Sequence, residues 1–173
     1  LNTAGDAVEV KVTYGGFEAS FNVKVTAVVV ESITVTAPTK TEYFVGDTLD
    51  LAGMVVTAHK NNDTTEIIQS GYTVDKTVLE TSGKITVTVT YNGKTATFEV
   101  TVKAVGLTSI AIIKKPSNLE YYVGEILNTD GMLVKAYYNN GTDEDVTSDA
   151  TVSPTILNTA GDAVEVKVTY GGF

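Results

Sequence analysis

Residues 84–102 read "KITVTVTYNGKTATFEVTV", and this stretch decides the fold. Apolar and polar residues alternate on both sides of Asn92-Gly93, which is the period of a half-buried strand whose successive side chains point to opposite faces. Asn-Gly takes the positive φ angles of a tight turn readily, so the two runs read as a hairpin. Val87, Val89 and Tyr91 are expected on one face, together with Phe98, Val100 and Val102 of the returning strand.

The same device stands near the start as "VEVKVTYGGFEASFNVKV", residues 8–25, with Gly15-Gly16 at the turn and Phe21, Val23 and Val25 expected inward. Other strands are read in "SITVTA" from Ser32, "SIAII" from Ser109, "GMVVTAH" from Gly53 and "GMLVKAYY" from Gly131. "YFVGDTLDL" from Tyr43 and "YYVGEILNT" from Tyr121 each read as a strand, a Gly-marked corner and a second short strand. No window of ten or more residues carries helical periodicity. Composition agrees: 28 Thr, abundant Val, no Trp, no Arg and 15 Gly against 3 Pro favour pleated, half-buried surfaces.

The chain is built on a repeat, which is the first thing to seek in such a sequence. "LNTAGDAVEVKVTYGGF" fills residues 1–17 and again 157–173, a period of 156 residues. Inside it, Tyr43, Val45, Gly46, Gly53 and Met54 match Tyr121, Val123, Gly124, Gly131 and Met132 at a constant offset of 78. "TSGKITVTVTYNGKTATFEVTVKA" from Thr81 likewise matches "TAGDAVEVKVTYGGFEASFNVKVTA" from Thr3. The reading is one complete module over residues 31–105, the front of a second kind of module over 106–173, and the back end of that second kind over 1–30.

Several short strands per module, with turns between them and no helix, predict all-β architecture: tandem small antiparallel immunoglobulin-like β-sandwich modules. Crossover helices for a parallel α/β sheet are missing, and a module near 78 residues is too long for one coil of a β-solenoid.

The motifs now in hand carry a resemblance. The I-x-V opening strand at Ile33, the Y-x-V-G-D corner at Tyr43–Asp47, the Gly53-Met54 strand and the V-T-Y-x-G-K-x-A-x-F-x-V-x-V hairpin at 89–102 together resemble the bacterial immunoglobulin-like domain of group 3. The resemblance covers essentially the whole chain. In the second module Glu125 stands where the corner has Asp, a conservative departure. It implies domains that occur in tandem in large secreted or wall-attached bacterial surface proteins as spacers, stalks or adhesive modules, and it carries no catalytic residue to this chain.

With 21 acidic residues against 12 Lys, the formal charge is -9, so the surface repels phosphate backbones and anionic lipid, and no nucleic-acid partner is expected. Zero Cys excludes disulfides and thiolate metal sites. The apolar run around "VKVTAVVV" is too short and too rich in Thr to span a bilayer, so no membrane insertion is expected. Residue 1 is Leu rather than Met and no signal peptide is legible, consistent with processing or truncation.

Candidate chemistry is sparse. His59 is the single His, its counterpart is Tyr137, and without Ser, Cys or a second His beside it the reading is an ordinary strand residue. "NNGTDEDVTSD" crowds Asp143, Glu144, Asp145 and Asp149; a weak calcium site is the alternative there, but a solvated turn is preferred because the matching "NNDTTEIIQS" lacks most of the acids. Asn62-Asp63-Thr64 and Asn140-Gly141-Thr142 are N-glycosylation sequons at equivalent positions, which shared ancestry and the turn preference of Asn also explain. Tyr121-Tyr122 and Tyr137-Tyr138 are adjacent strand residues, so one of each pair is expected in the core and the other exposed, for packing rather than sugar stacking. No catalytic, cofactor or metal residue is assigned.

The leading functional expectation is a structural repeat of an extracellular bacterial surface protein, forming a stalk, surface layer or filament. Its partners are copies of itself, head to tail, with cell wall or glycans as further contacts. An adhesin or glycan-binding module is the alternative, and an accessory region of a larger secreted enzyme is the third reading.

Overall fold

The computed structural model describes residues 4–173. Leu1–Thr3, which open the first copy of the repeated stretch, lie outside the described residues. Among the described residues there is no helix, as the alternating pattern predicts. The chain divides into two compact units, Leu1–Val102 and Lys103–Phe173.

In the first unit, β1 (Gly5–Tyr14) and β2 (Phe17–Val25) form a hairpin that is a two-stranded sheet of its own. Gly5 faces Val25 and Val8 faces Val23, so Asp6 and Ala7 together oppose Lys24 in a β-bulge. This bulge absorbs the one residue by which "GDAV" at Gly5 exceeds "GKI" at Gly83, and Lys24 Nζ closes on Asp6 Oδ1 at 3.1 Å across it.

The rest of the unit is a sandwich of two sheets. One has the order β3 (Val30–Thr36), β5 (Val55–Lys60), β6 (Thr65–Ile68). The other has the order β4 (Glu42–Phe44), β9 (Lys94–Lys103), β8 (Gly83–Tyr91), β7 (Thr73–Val74). The β8–β9 hairpin pairs Val87 with Phe98 and Val89 with Ala96 across the Asn92-Gly93 turn, whose φ values of 47° and 73° are the positive angles that dipeptide was expected to supply. Ile33, Val56, Ala58 and Ile68 of the first sheet pack against Tyr43, Val87, Val89, Phe98, Val100 and Val102 of the second. Tyr91 is half-buried at the edge of this core.

The second unit repeats this plan in part. β10 (Leu107–Lys114), β11 (Leu133–Tyr138) and β12 (Asp143–Asp145) correspond to β3, β5 and β6, and β13 (Thr151–Ser153) with β14 (Lys167–Thr169) corresponds to β7 and β8. Its core is smaller: Val134, Ala136 and Val146 are buried, with Ile110, Met132, Tyr138 and Val168 packed around them.

Two expectations are corrected. Phe21 is 56% exposed, and Val23 and Val25 are half-buried rather than inside, because among the described residues the β1–β2 hairpin is a sheet by itself and contributes to neither core. The strand expected at Tyr121–Val123 does not form, while its counterpart β4 does. β4 is held as a strand by pairing with β9, whereas among the described residues no strand pairs with residues 120–122.

Candidate functional site

The corner motif is built alike in both units. In the first, the Tyr43 hydroxyl lies 3.1 Å from Lys40 O and 3.2 Å from Asp50 O, with one proton to donate between them, and it accepts from Asp50 N–H at 3.2 Å. The Tyr121 hydroxyl is placed identically toward Asn118 O, Asn128 O and Asn128 N–H. Asp47 Oδ2 accepts from Phe44 N–H at 3.0 Å, and Glu125 Oε2 accepts from Tyr122 N–H at 2.8 Å, so the longer acid performs the same turn closure. Leu79 and Leu157 then lock each corner, receiving Gly46 N–H and Gly124 N–H on their carbonyls at 2.8 Å.

The surroundings of that corner differ. In the first unit the corner runs beside β9, whose Thr101 N–H donates to Thr41 O at 2.8 Å. In the second unit a cleft of about 420 Å³ takes that place, between Leu119–Val123 on one wall and Leu157, Gly161, Val164 and Val166 on the other. Its first wall is open to water, with Leu119 63%, Tyr122 84% and Val123 61% exposed. A second cavity of about 230 Å³ shares Leu119, Leu127, Val164 and Val166 with it and is lined also by Ile112, Met132 and Val152.

The residues singled out from sequence are dispersed. His59 is half-buried on β5 with Nε2 3.0 Å from Thr34 Oγ1 of the neighbouring strand. The acid run is an edge strand rather than a turn at Asp143–Asp145. There successive carboxylates point apart and each has its own partner: Lys135 Nζ for Asp143, the Tyr138 hydroxyl at 3.1 Å for Glu144, and the N–H and Oγ1 of Thr147 at 3.0 and 2.6 Å for Asp145. The hydroxyl bond from Thr147 holds Asp145 below the ordinary carboxylate value, and the bond to Asp143 raises Lys135. Tyr138 is pushed up to about 12, first by its hydrogen bond with Tyr170 and then by Glu144. Among the described residues no three His, Cys, Asp or Glu come together as metal ligands.

Asn62 and Asn140 sit in the β5–β6 and β11–β12 turns, where their Oδ1 atoms accept from the hydroxyls of Thr64 and Thr142 at 2.6 and 2.7 Å. Tyr121 is half-buried and Tyr122 exposed, whereas Tyr137 and Tyr138 are both half-buried. Tyr137 lies on the central strand of its sheet, flanked by Ser109 and Asp143, and so is not left to solvent.

Sequence reasoning missed the residue before each sequon. Asn61 Nδ2 donates to Ala27 O at 2.8 Å while its Oδ1 accepts from Val29 N–H at 3.0 Å. Asn139 does the same to Ala104 O and Gly106 N–H, both at 3.0 Å. The available signal was the Asn-Asn dipeptide recurring at an offset of 78, which the sequon reading credited to its second member.

Comparison with known proteins agrees with this geometry. The model of the bacterial Ig-like domain, group 3, matches residues 36–102 and again 115–172. Pectate lyase L of Thermoclostridium stercorarium is 30% identical over 158 residues, which are 90% of this chain and 13% of that protein. Exo-beta-1,6-galactobiohydrolase of Bifidobacterium longum subsp. longum is 38% identical over 105 residues, 57% of this chain and 7% of that protein. The chain thus spans a small part of the length of the curated relatives it matches. With two family matches, the shared corner and the two-sheet core on the page, this chain belongs to the bacterial Ig-like domain family, group 3.

Proposed function

We propose that this chain is a non-catalytic spacer region of a larger bacterial protein that works outside the cell, in which Ig-like modules follow one another head to tail. Residues 31–105 are one whole module in this reading, while 1–30 and 106–173 are parts of modules of the second kind. The observation that carries it is the investment in repeated architecture: corner, core and turn are preserved at an offset of 78, while the side chains capable of chemistry are not. Tyr137 stands where His59 does, and the acid run at Asp143 has no acidic counterpart run. Length and stiffness are what such an array supplies, and each module adds its own and its neighbour's stability. The charge of -9 keeps closely set copies from associating unspecifically.

The names of the two relatives support a second reading, an accessory module of a carbohydrate-acting protein that touches the polysaccharide itself. Affinity electrophoresis of the full chain through gels containing pectin, β-1,6-galactan or bacterial wall polysaccharide separates the two. Unretarded migration in all three is the spacer result. Saturable retardation by any one of them overturns it in favour of glycan binding.

A further inference from the structure

The β5–β6 and β11–β12 turns are modification sites, and we infer that the side-chain amides of Asn62 and Asn140 each accept a sugar delivered on a phosphate leaving group. The inference goes beyond the spacer reading, because an array of modules serves as a spacer whether or not it carries sugar.

The chain has 10 Asn, and 2 of them have Thr or Ser at the second position after them: Asn62 before Thr64 and Asn140 before Thr142. An N-x-S/T sequon on a surface turn is the acceptor that N-glycosylation uses. Both fall at the same place, the turn between the central and the edge strand of a three-stranded sheet, one in each kind of module. Asn62, Asp63 and Thr64 are exposed, and Asn140 is half-buried beside exposed Gly141 and Thr142. In each turn the backbone N–H of the Thr meets the Asn side chain, at 3.4 Å in the first and 3.1 Å in the second. A backbone N–H only donates, so the atom it meets is Oδ1, and Nδ2 is left over. Among the described residues neither Asn62 Nδ2 nor Asn140 Nδ2 has a hydrogen-bond partner.

The turn alone does not call for an amide. Asp145 accepts the N–H and the hydroxyl of Thr147 at 3.0 and 2.6 Å, the same pair of bonds that Asn62 and Asn140 accept, so a carboxylate two residues before a Thr does that work as well. At the corner the two modules do exchange acid for amide: Asp50 Oδ1 receives Ala52 N–H at 2.9 Å, and Asn128 Oδ1 receives Asp130 N–H at 2.7 Å. At the sequon both modules have Asn, which adds to that acceptor only the Nδ2 group. Asn61 and Asn139 make the contrast, since their Nδ2 and Oδ1 are both engaged in bonds to the segment ahead of β3 or β10. The amide nitrogen of the second Asn is thus the group the fold does not use, and it is the group that glycosyl transfer requires. In that step Nδ2 bonds to the anomeric carbon. The bond from that carbon to the phosphate oxygen breaks with its electron pair on the phosphate, and one Nδ2 proton passes to a base of the transferring enzyme. Each module then carries one sugar, 78 residues from the next, beside the Asn that holds the segment entering the module.

Transfer to the folded full chain tests this in two arms that separate the sources of sugar. One supplies a polyprenyl-pyrophosphate oligosaccharide with an oligosaccharyltransferase, the other a nucleoside-diphosphate hexose with a soluble N-glycosyltransferase, and each arm is first shown to modify a synthetic sequon peptide. In at least one arm the intact mass is expected to rise by two sugar additions, mapped by peptide mass spectrometry to Asn62 and Asn140, with the more exposed Asn62 filled first. Asn62→Gln and Asn140→Gln are each expected to remove one addition. Thr64→Ser is expected to keep the addition at Asn62 and Thr64→Val to lose it. Asn62→Asp/Asn140→Asp is expected to carry no sugar and to keep the parent's circular dichroism and urea midpoint. A folded chain that takes up no sugar in either arm overturns the inference, as do additions confined to other residues. A urea midpoint of the double Asp chain well below the parent's also overturns it, because the amides would then serve the fold. Polysaccharide electrophoresis of the unmodified chain reports separately on the spacer reading, so failure of one is not mistaken for failure of the other.

Discussion

Asn139 grips the backbone on either side of Val105: its Nδ2 donates to Ala104 O and its Oδ1 accepts from Gly106 N–H, each at 3.0 Å. Its own N–H donates to Gly106 O at 3.0 Å, so one residue makes three bonds to the segment that enters β10. Asn61 grips Ala27 and Val29 in the same way ahead of β3. A backbone segment with few partners of its own is thereby ordered at the place where one module begins.

Replacing Asn139 with Ala removes the two side-chain bonds and leaves the backbone bond. At roughly 0.5–1.5 kcal/mol net for each bond, and with solvent able to replace them here, the expected loss is about 1–2 kcal/mol in urea unfolding of the second unit. Limited proteolysis is the more pointed measurement, because local opening is what the clamp opposes. Asn139→Ala should speed cleavage at Ala104–Gly106 and Asn61→Ala at Ala27–Val29, each leaving the other site unchanged. Asn140→Ala, next door, should leave the Ala104–Gly106 site as it is.

Phe98 and Phe21 occupy the same position of the repeat, 77 residues apart, and differ in exposure from 6% to 56%. Phe98→Ala empties a packed core and should cost about 3–5 kcal/mol in urea unfolding. Phe21→Ala should cost no more than about 0.5 kcal/mol. Equal losses would mean that the hairpin face is covered in the single chain.

That pair also marks how far the sequence carries. Alternation and Asn-Gly are local signals, and the register of β8 with β9 follows from them because both strands lie on either side of one turn. Burial of Phe21 does not follow, since it depends on a sheet elsewhere and the same pattern is written whether or not that sheet is present. β4 and residues 120–122 make the complementary case: similar sequence forms a strand only where β9 supplies the ladder. β7 and β13, of two and three residues, are too short to show any period. The acid run at Asp143 looked like a turn because edge-strand pairing with Lys135–Tyr137 leaves no mark on its composition. The Asn clamps join residues 34 and 35 positions apart and are visible only in three dimensions.

Asp75 ties β7 to β8. Its Oδ1 accepts from Thr88 N–H at 2.8 Å, its Oδ2 from Lys76 Nζ at 2.6 Å, and its own N–H donates to Thr88 O at 3.1 Å. Lys76 first, and then the Thr88 N–H, hold its carboxyl below the ordinary 3.8. A folded value below the unfolded one means a contribution that is present above about pH 4 and lost as the pH falls through the folded value. Asp75→Asn should therefore be less stable than the parent at neutral pH, by about 1 kcal/mol after allowing for the exposure of the carboxylate. Urea curves taken at falling pH should converge as the parent's Asp75 protonates. A gap that persists in acid would assign the loss to geometry instead of charge.

Gly53 precedes the Met54 strand with φ at 83°, and a Cβ there would run into the Thr39 side chain, whose backbone N–H donates to Ala52 O at 3.0 Å. Two penalties meet at this residue: a backbone region that L side chains avoid, and a steric contact with a branched neighbour. Gly53→Ala should cost about 1–3 kcal/mol in urea unfolding. Thr39→Ala in the same chain removes the contacted hydroxyl but leaves φ unchanged, so the double variant should recover only the steric share. The coupling read from that cycle divides the two causes. Gly131 stands at φ 79° against the Ser117 hydroxyl in the second unit. Ser lacks the methyl branch and can rotate its hydroxyl away, so Gly131→Ala should show the backbone penalty with a smaller coupling to Ser117→Ala than Gly53→Ala shows to Thr39→Ala. A larger coupling at Gly131 would reverse the assignment of the steric share to the branched neighbour.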